Sequence, residues 1–211
     1  MTTLAISTSS GQFALAIGEN SRVLFDSSID STQEKGLEEI LSDGLSCCNR
    51  EVSDISHIIV DVGPGGTSRV RTGVAFANAL AYSLGISVSP VSSMELAGID
   101  AWEKYHLPVL STVKSIKGSA YIGLYQPPDT SIQYGEVQDL VPKMVQNIDK
   151  FVVVGVHRDN ILQLPSLKDK TMIDSTLTFG HVSCLIKNSN TFANRACGFP
   201  VYAQPVTEKT L

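Results

Sequence analysis

The residue types that could do chemistry gather in the stretch His57–Ile86, HIIVDVGPGGTSRVRTGVAFANALAYSLGI. Ile58, Ile59 and Val60 form the short β-branched run of a buried strand, and it stops at Asp61 and Gly63-Pro64-Gly65-Gly66. The glycines permit a close backbone approach, while Pro64 fixes its own φ and donates no hydrogen bond. A helix is expected from about Arg71 to Leu84. Strand, glycine loop and helix in that order aim backbone N–H groups and a positive dipole end at an anion. Asp61, Gly63, Gly65, Gly66, Thr67 and Arg71 are therefore the candidate contacts of a phosphate. Asp61 is the best-placed carboxylate for a metal or a water. Its plainer role is to fasten the loop by accepting glycine N–H bonds. Arg69 and Arg71 either grip an anion or stand solvated.

Several chemistries drop out by spacing. GPGGTSRV lacks the lysine that ends a Walker loop, and Ser68 stands where a dinucleotide fingerprint has its third glycine. His57, His106, His157 and His181 show no H-E-x-x-H or H-x-x-x-H spacing, and no G-x-S-x-G nucleophile elbow occurs. Cys47, Cys48, Cys184 and Cys197 form neither a C-x-x-C pair nor a zinc-finger pattern, which favours free thiols in a reducing compartment. A formal charge of −5 argues against a free-standing nucleic-acid binder. The opening MTTLAISTSSG is unlike a signal peptide and no apolar run reaches membrane-spanning length, so a cytoplasmic protein without a membrane contact is expected.

The elements that must position the loop follow from the pattern. Thr3–Ser7, Phe13–Ile17 and Val23–Phe25 read as an antiparallel meander, with Thr8, Ser9 and Ser10 at its first turn. Ser31-Thr32-Gln33-Glu34 carries a capping box, which predicts a helix from there whose apolar face is Leu37, Ile40, Leu41, Leu45 and Cys48. The helix after the glycine loop bears two apolar stripes, one of Gly73, Phe76, Ala77, Leu80 and Leu84, the other of Ala75, Ala79 and Tyr82, with Asn78 its only polar member. A helix apolar nearly all round is either buried wholly in its own domain or offers one stripe to a partner. Ser92 or Ser93 caps a helix over Met94–Glu103. Beyond it, strands at Leu107–Val113, Ala120–Tyr125, Ile132–Val137 and Phe151–Val154 and helices near Arg158–Leu162 and Phe179–Lys187 make a plainer second half. The sum is an α/β chain of two lobes, residues 1–101 and a smaller 102–211, with mixed sheets flanked by helices. The segment from Phe199 to Val206 is proline-rich yet apolar and is expected to pack back onto the fold.

Gly63-Pro64-Gly65-Gly66-Thr67-Ser68-Arg69-Val70-Arg71-Thr72-Gly73, joined to Ala75, Ala77, Leu80 and Ala81, resembles the G-P-G-S-F-T-G-V-R-x-G loop and small-residue helix of the TsaB (YeaZ) family. Leu4–Ser9 resembles that family's opening I-D-T-S strand, Gly118–Tyr125 its G-E-V-Y-x-A-x-Y strand, and Pro200–Thr207 its closing P-x-Y-x-R-P segment. The resemblance implies the two-lobe fold of actin, Hsp70 and sugar kinases (ribonuclease H-like lobes) with a shortened second lobe, in a noncatalytic relative of TsaD. It implies a scaffold that works with TsaD and TsaE to make threonylcarbamoyladenosine at position 37 of tRNAs reading A-starting codons. TsaD transfers the group, TsaE supplies ATPase function, and tRNA is met only through the complex. The family's contact helices match Gln33–Cys48 and Arg71–Leu84, which puts Leu37, Ile40, Leu41, Val74, Ala75, Asn78, Ala79 and Tyr82 at an interface with TsaD, or with a second copy when TsaD is absent. No resident metal or catalytic residue is implied; ATP or ADP with magnesium is the cofactor it allows, at the TsaD interface.

Departures from the family lie at Ser7, where superfamily kinases have aspartate, at Gly66, Ser68 and Arg69 in the loop, at Lys114 and Ile116 in place of the D-A-R aspartate and arginine, and at Gln204 in place of the tail arginine. Loss of charge at such positions fits a scaffold. The alternatives are a phosphotransferase or ATPase of the same superfamily and, more weakly, a glycopeptidase.

Overall fold

The structure is a computed structural model that describes residues 1–32, 35–115, 119–195 and 201–202. Its elements divide into two compact units. The first comprises residues 1–92 together with described residues from His181 onward, and the second residues 93–180.

In the first unit, β1 (Thr2–Ser7), β2 (Gln12–Glu19) and β3 (Arg22–Asp30) form the expected antiparallel meander, and β4 (Ile55–Asp61) and β5 (Val88–Val91) extend it in parallel, giving the order β3-β2-β1-β4-β5. Alternation along each strand sorts the two faces. Leu4, Ile6, Leu15, Ile17, Ile58 and Val60 point one way and are fully buried beneath α1 (Leu37–Cys47) and α2 (Thr67–Leu84). The other face is built of small residues. Pairs Thr3↔Gly18, Ala5↔Ala16 and Ser7↔Ala14 leave a shallow surface on which α6 (Ser183–Lys187) and α7 (Ser189–Ala193) lie. A Cβ on Gly18 would stand 2.0 Å from the Ile186 side chain, so the sheet admits α6 only because that position is bare.

The second unit repeats this topology. β6 (Val109–Lys114), β7 (Ala120–Gln126) and β8 (Asp129–Gly135) are antiparallel, and β9 (Lys150–Gly155) and β10 (Thr171–Asp174) run parallel to β6, giving β8-β7-β6-β9-β10. α3 (Ser93–Tyr105) covers one face, with Met94 against Gly123 and Gly98 against Tyr125. α4 (Val137–Met144) and α5 (Arg158–Leu162) cover the other over Leu110, Ile122, Phe151 and Val153.

Three expectations change. The chain divides after Ser92, not at 101/102, because α3 packs on the second sheet while α6 and α7 return to the first. The Ser31 capping box does not start α1, which begins at Leu37 behind Gly36. Asp30 Oδ1 instead accepts the Thr32 N–H (2.9 Å) and hydroxyl (2.8 Å), closing a turn, and the Ser31 N–H donates to the Gly11 carbonyl; Gln33 and Glu34 lie outside the described residues. The strand expected to run to Val137 stops at Gly135, and α4 follows.

One buried polar chain crosses the first sheet's small-residue face. His57, 2% exposed, donates its Nε2–H to Ser89 Oγ (2.8 Å), because the Ser89 hydroxyl proton is directed to the Phe192 carbonyl (2.9 Å). Nδ1 is then a bare, buried lone pair with no hydrogen-bond partner. Burial pushes the His57 pKa down, and burial followed by the nearby Lys114 charge does the same to His157. The folded protein thus binds fewer protons than the unfolded chain. The stability these neutral rings contribute is complete above the unfolded value of 6.5 and is lost as pH falls below it toward the folded values. Urea unfolding at pH 8, 7, 6 and 5 is expected to give a flat, then falling, free energy, and His57→Gln should flatten part of the fall; an unchanged slope would remove His57 as its source.

Candidate functional site at the glycine loop

Parallel pairing of β1 with β4, with Ile6 beside Val60, brings Ser7 and Asp61 together at the carboxyl ends of the two strands. Asp61 is fully buried. Its Oδ2 accepts the hydroxyls of Ser7 (2.7 Å) and Ser9 (2.5 Å), and its Oδ1 accepts the Gly63 N–H (2.8 Å). The carboxylate thereby joins β1, the β1–β2 turn and the glycine loop. Further bonds draw the turn and the loop together: Gly66 N–H to the Ser9 carbonyl (3.3 Å), and the Thr8 hydroxyl to the Arg69 carbonyl (2.7 Å).

Two glycines are required by this closeness. A Cβ on Gly65 would meet the Ser9 Cβ at 2.6 Å and its carbonyl oxygen at 2.7 Å, and one on Gly73 would meet Thr8 Oγ1 at 2.5 Å. The glycine loop and the start of α2 as far as Gly73 thus sit directly on the β1–β2 turn.

The expected anion contacts are partly spent. The N–H groups of Gly63 and Gly66 are bonded within the protein. Gly66 is the N-cap of α2 with no side-chain cap, and Thr67, Ser68, Arg69 and Arg71 are exposed beyond it. The Arg69 guanidinium folds back: Nη1 would stand 3.2 Å from a Cβ built on Gly11 and 3.5 Å from one on Gly66. Its charge also reaches Asp30, whose carboxyl is held below the usual range first by the Thr32 N–H, then by the Thr32 hydroxyl and more weakly by Arg69. Among the described residues no group of three His, Cys, Asp or Glu side chains is placed to hold a metal ion. Asp61 is thus an acceptor that ties the loop together, and Ser7 serves it as a donor.

The expected interface residues separate into two sets. Leu37, Ile40, Leu41 and Val74 are buried in the first unit's own core and are not offered outward, because the one apolar face of α1 is used there and Val74 is on the buried side of α2. Ala75, Ala79 and Tyr82 are exposed on α2, Tyr82 to 78%. Asn78 is half-buried between these sets. Its carboxamide Nδ2 donates to the Val201 carbonyl (2.8 Å) and its Oδ1 accepts the Val201 N–H (3.1 Å), so the one polar residue of the stripe holds the backbone of Val201. Val201 is 6% exposed and joins the core beneath α2. Ile116, Gly118, Cys197, Pro200 and Gln204 lie outside the described residues. Lys114 is exposed at the end of β6. Missing from the sequence expectations was the fastening role of Thr8 and Ser9 across to the loop; a hydroxyl run at the end of β1 and an Asp at the end of the strand before the loop were its only signal.

Two units of identical sheet topology, the first with a glycine loop between its fourth strand and a long helix, place the protein in the fold class of actin, Hsp70 and the sugar kinases. A putative N-acetylmannosamine kinase from Listeria monocytogenes has this fold, at TM-score 0.56 and 9% identity over 92% of this chain and 99% of that one. YeaZ from Pseudomonas aeruginosa superposes at TM-score 0.81 with 20% identity, over 98% and 99% of the two chains. The family model described as TsaD, tRNA N6-adenosine threonylcarbamoyltransferase, matches residues 32–185. The chain is 37% identical over 83 residues to the tRNA threonylcarbamoyladenosine biosynthesis protein TsaB of Bacillus subtilis, a match spanning 39% of this chain and 35% of that protein, about a third of its length. It is 24% identical over 180 residues to the protein of the same name from Buchnera aphidicola, spanning 78% of this chain and 85% of that one. The chain belongs to the TsaD family, and within it to the TsaB (YeaZ) group.

Replacing Asp61 by alanine strands two hydroxyls and one backbone N–H in the interior. Asp61→Ala is expected to lower the unfolding free energy by about 3 kcal/mol in urea titration, since each buried donor left unmade costs on the order of 1–3 kcal/mol. A loss below about 1 kcal/mol would show that the loop does not depend on this carboxylate.

Proposed function

We propose that this chain takes part in threonylcarbamoyladenosine formation on tRNA as a noncatalytic subunit that docks onto TsaD through α2. The observation that carries it is the division of α2. Val70, Gly73, Val74, Ala77 and Ala81 are buried in the core, while Ala75, Ala79 and Tyr82 stand in solvent one and two turns apart. Small side chains let a partner helix approach closely, and the apolar area they cover stabilises the contact. A noncatalytic role accords with an Asp61 whose oxygens are taken up by Ser7, Ser9 and Gly63. In this reading TsaE joins the assembly, tRNA is reached through the complex, and the same face pairs two copies when TsaD is absent. The setting is the cytoplasm; among the described residues no helix is long and apolar enough to cross a membrane.

A second reading, an ATPase or phosphotransferase of the fold class, draws on the uncapped α2 N-terminus and the exposed Arg71. Calorimetric titration of the isolated chain with magnesium and ATP separates the two, because micromolar binding with turnover would favour the enzyme. For docking, Ala79→Arg is expected to leave the thermal midpoint within about 2 °C, as surface substitutions do, and to abolish co-purification with the cognate TsaD. Retained co-purification would take α2 out of the interface.

A further inference from the structure

Two orphaned polar atoms lie on neighbouring strands at the small-residue face of the first sheet. Thr3 is 1% exposed and His57 2%, and among the described residues neither Thr3 Oγ1 nor His57 Nδ1 has a hydrogen-bond partner. The two residues are register partners on the parallel strands β1 and β4. An irregularity makes that pairing: Thr2 faces Ile55 and Thr3 faces His57, which leaves Ser56 as the extra residue. The Ser56 hydroxyl donates to the Thr2 carbonyl (3.1 Å). In unbroken register Thr3 would face Ser56, and His57 would fall beside Leu4 on the sheet's Leu and Ile side. A bulge re-aims a side chain, and this one brings the imidazole to the Thr3 hydroxyl.

The chemistry of the two atoms is complementary. His57 Nε2–H is committed to Ser89, so Nδ1 can only accept, whereas a threonine hydroxyl both donates and accepts. Paired side chains on neighbouring strands start about 4.8 Å apart. That is more than one hydrogen bond spans, and close to what two bonds of about 2.8 Å through a shared oxygen span. β1, β5 and α7 contain no charged side chain, so a neutral ligand suits the place. We infer that Thr3 and His57 hold one buried water molecule, which donates to His57 Nδ1 and bonds the Thr3 hydroxyl. Internal waters occupy sites of this kind, where otherwise unsatisfied buried polar groups converge. A hydrogen-bonded chain then runs from Thr3 through the water, His57 and Ser89 to the Phe192 carbonyl, tying α7 back to the central strand of the sheet.

The test uses the full chain. A crystal structure that resolves ordered solvent is expected to place a water within about 3.2 Å of both atoms, and 15N NMR to show His57 as the Nε2–H tautomer. A Thr3 hydroxyl bonded directly to Nδ1 with no water between, or a proton on Nδ1 of the neutral ring, would overturn the inference. Thr3→Val keeps the shape, removes the hydroxyl and gives opposite signs for the two cases. Loss of a water's partner is expected to lower the thermal midpoint by about 3 °C, whereas removing a hydroxyl that bonds nothing would raise it. A raised midpoint would therefore also overturn the water site, and if Thr3→Val does not fold, the crystallographic and NMR results on the unaltered chain decide alone.

Discussion

A single buried carboxylate sets the arrangement at the carboxyl end of the first sheet. Asp61 accepts two hydroxyls from one hairpin end and an amide from the loop that follows it, so two chain segments distant in sequence share one acceptor group. A buried carboxyl group is tolerable only when its polar atoms are hydrogen-bonded. The close contacts of Gly65 with Ser9 and of Gly73 with Thr8 follow from it: once hairpin and loop are drawn onto the same carboxylate, no Cβ fits between them. The direction in which α2 leaves the sheet is fixed in turn, and with it which side of that helix meets water.

The same unit shows how one sheet serves two kinds of neighbour. Its Leu and Ile face is thick and takes the two longer helices; its Ala, Gly, Ser and Thr face is thin and takes two helices of a single turn each. The thin face carries the polar chain His57–Ser89–Phe192, which gives α7 a directional tie where apolar area is scarce. Packing holds one side and hydrogen bonding holds the other.

Much of this was legible in the residues. The meander, the loop between β4 and α2, α3, and the short α5 follow from period-two and period-3.6 patterns bounded by Gly, Ser and Pro, and local signals of that kind survive folding. The two-lobe fold class came from the resemblance to the TsaB (YeaZ) family that the loop, its helix and both ends of the chain carry. What could not be read depended on partners far along the chain. The capping box at Ser31 lost to Asp30, which closes its own turn, and α4 was hidden by Pro142 within it, although Val137, Leu140, Val141 and Met144 carry the helical spacing. At the site, the alternation of α2 separated an outward Ala75, Ala79 and Tyr82 correctly, but Val74 sits a hundred degrees from Ala75 and turns inward. Asn78 read as a polar break in an apolar stripe, and only the fold shows that it answers Val201, 123 residues away.

The two units share a strand order but not the length of the helix that follows their fourth strand. α2 has 18 residues, about 27 Å at 1.5 Å per residue, whereas its counterpart α5 has five. At the same rise α5 extends only about 7.5 Å, so the second unit has no helix after its fourth strand long enough to offer a face like that of α2, and the two units differ in the helical surface each can present.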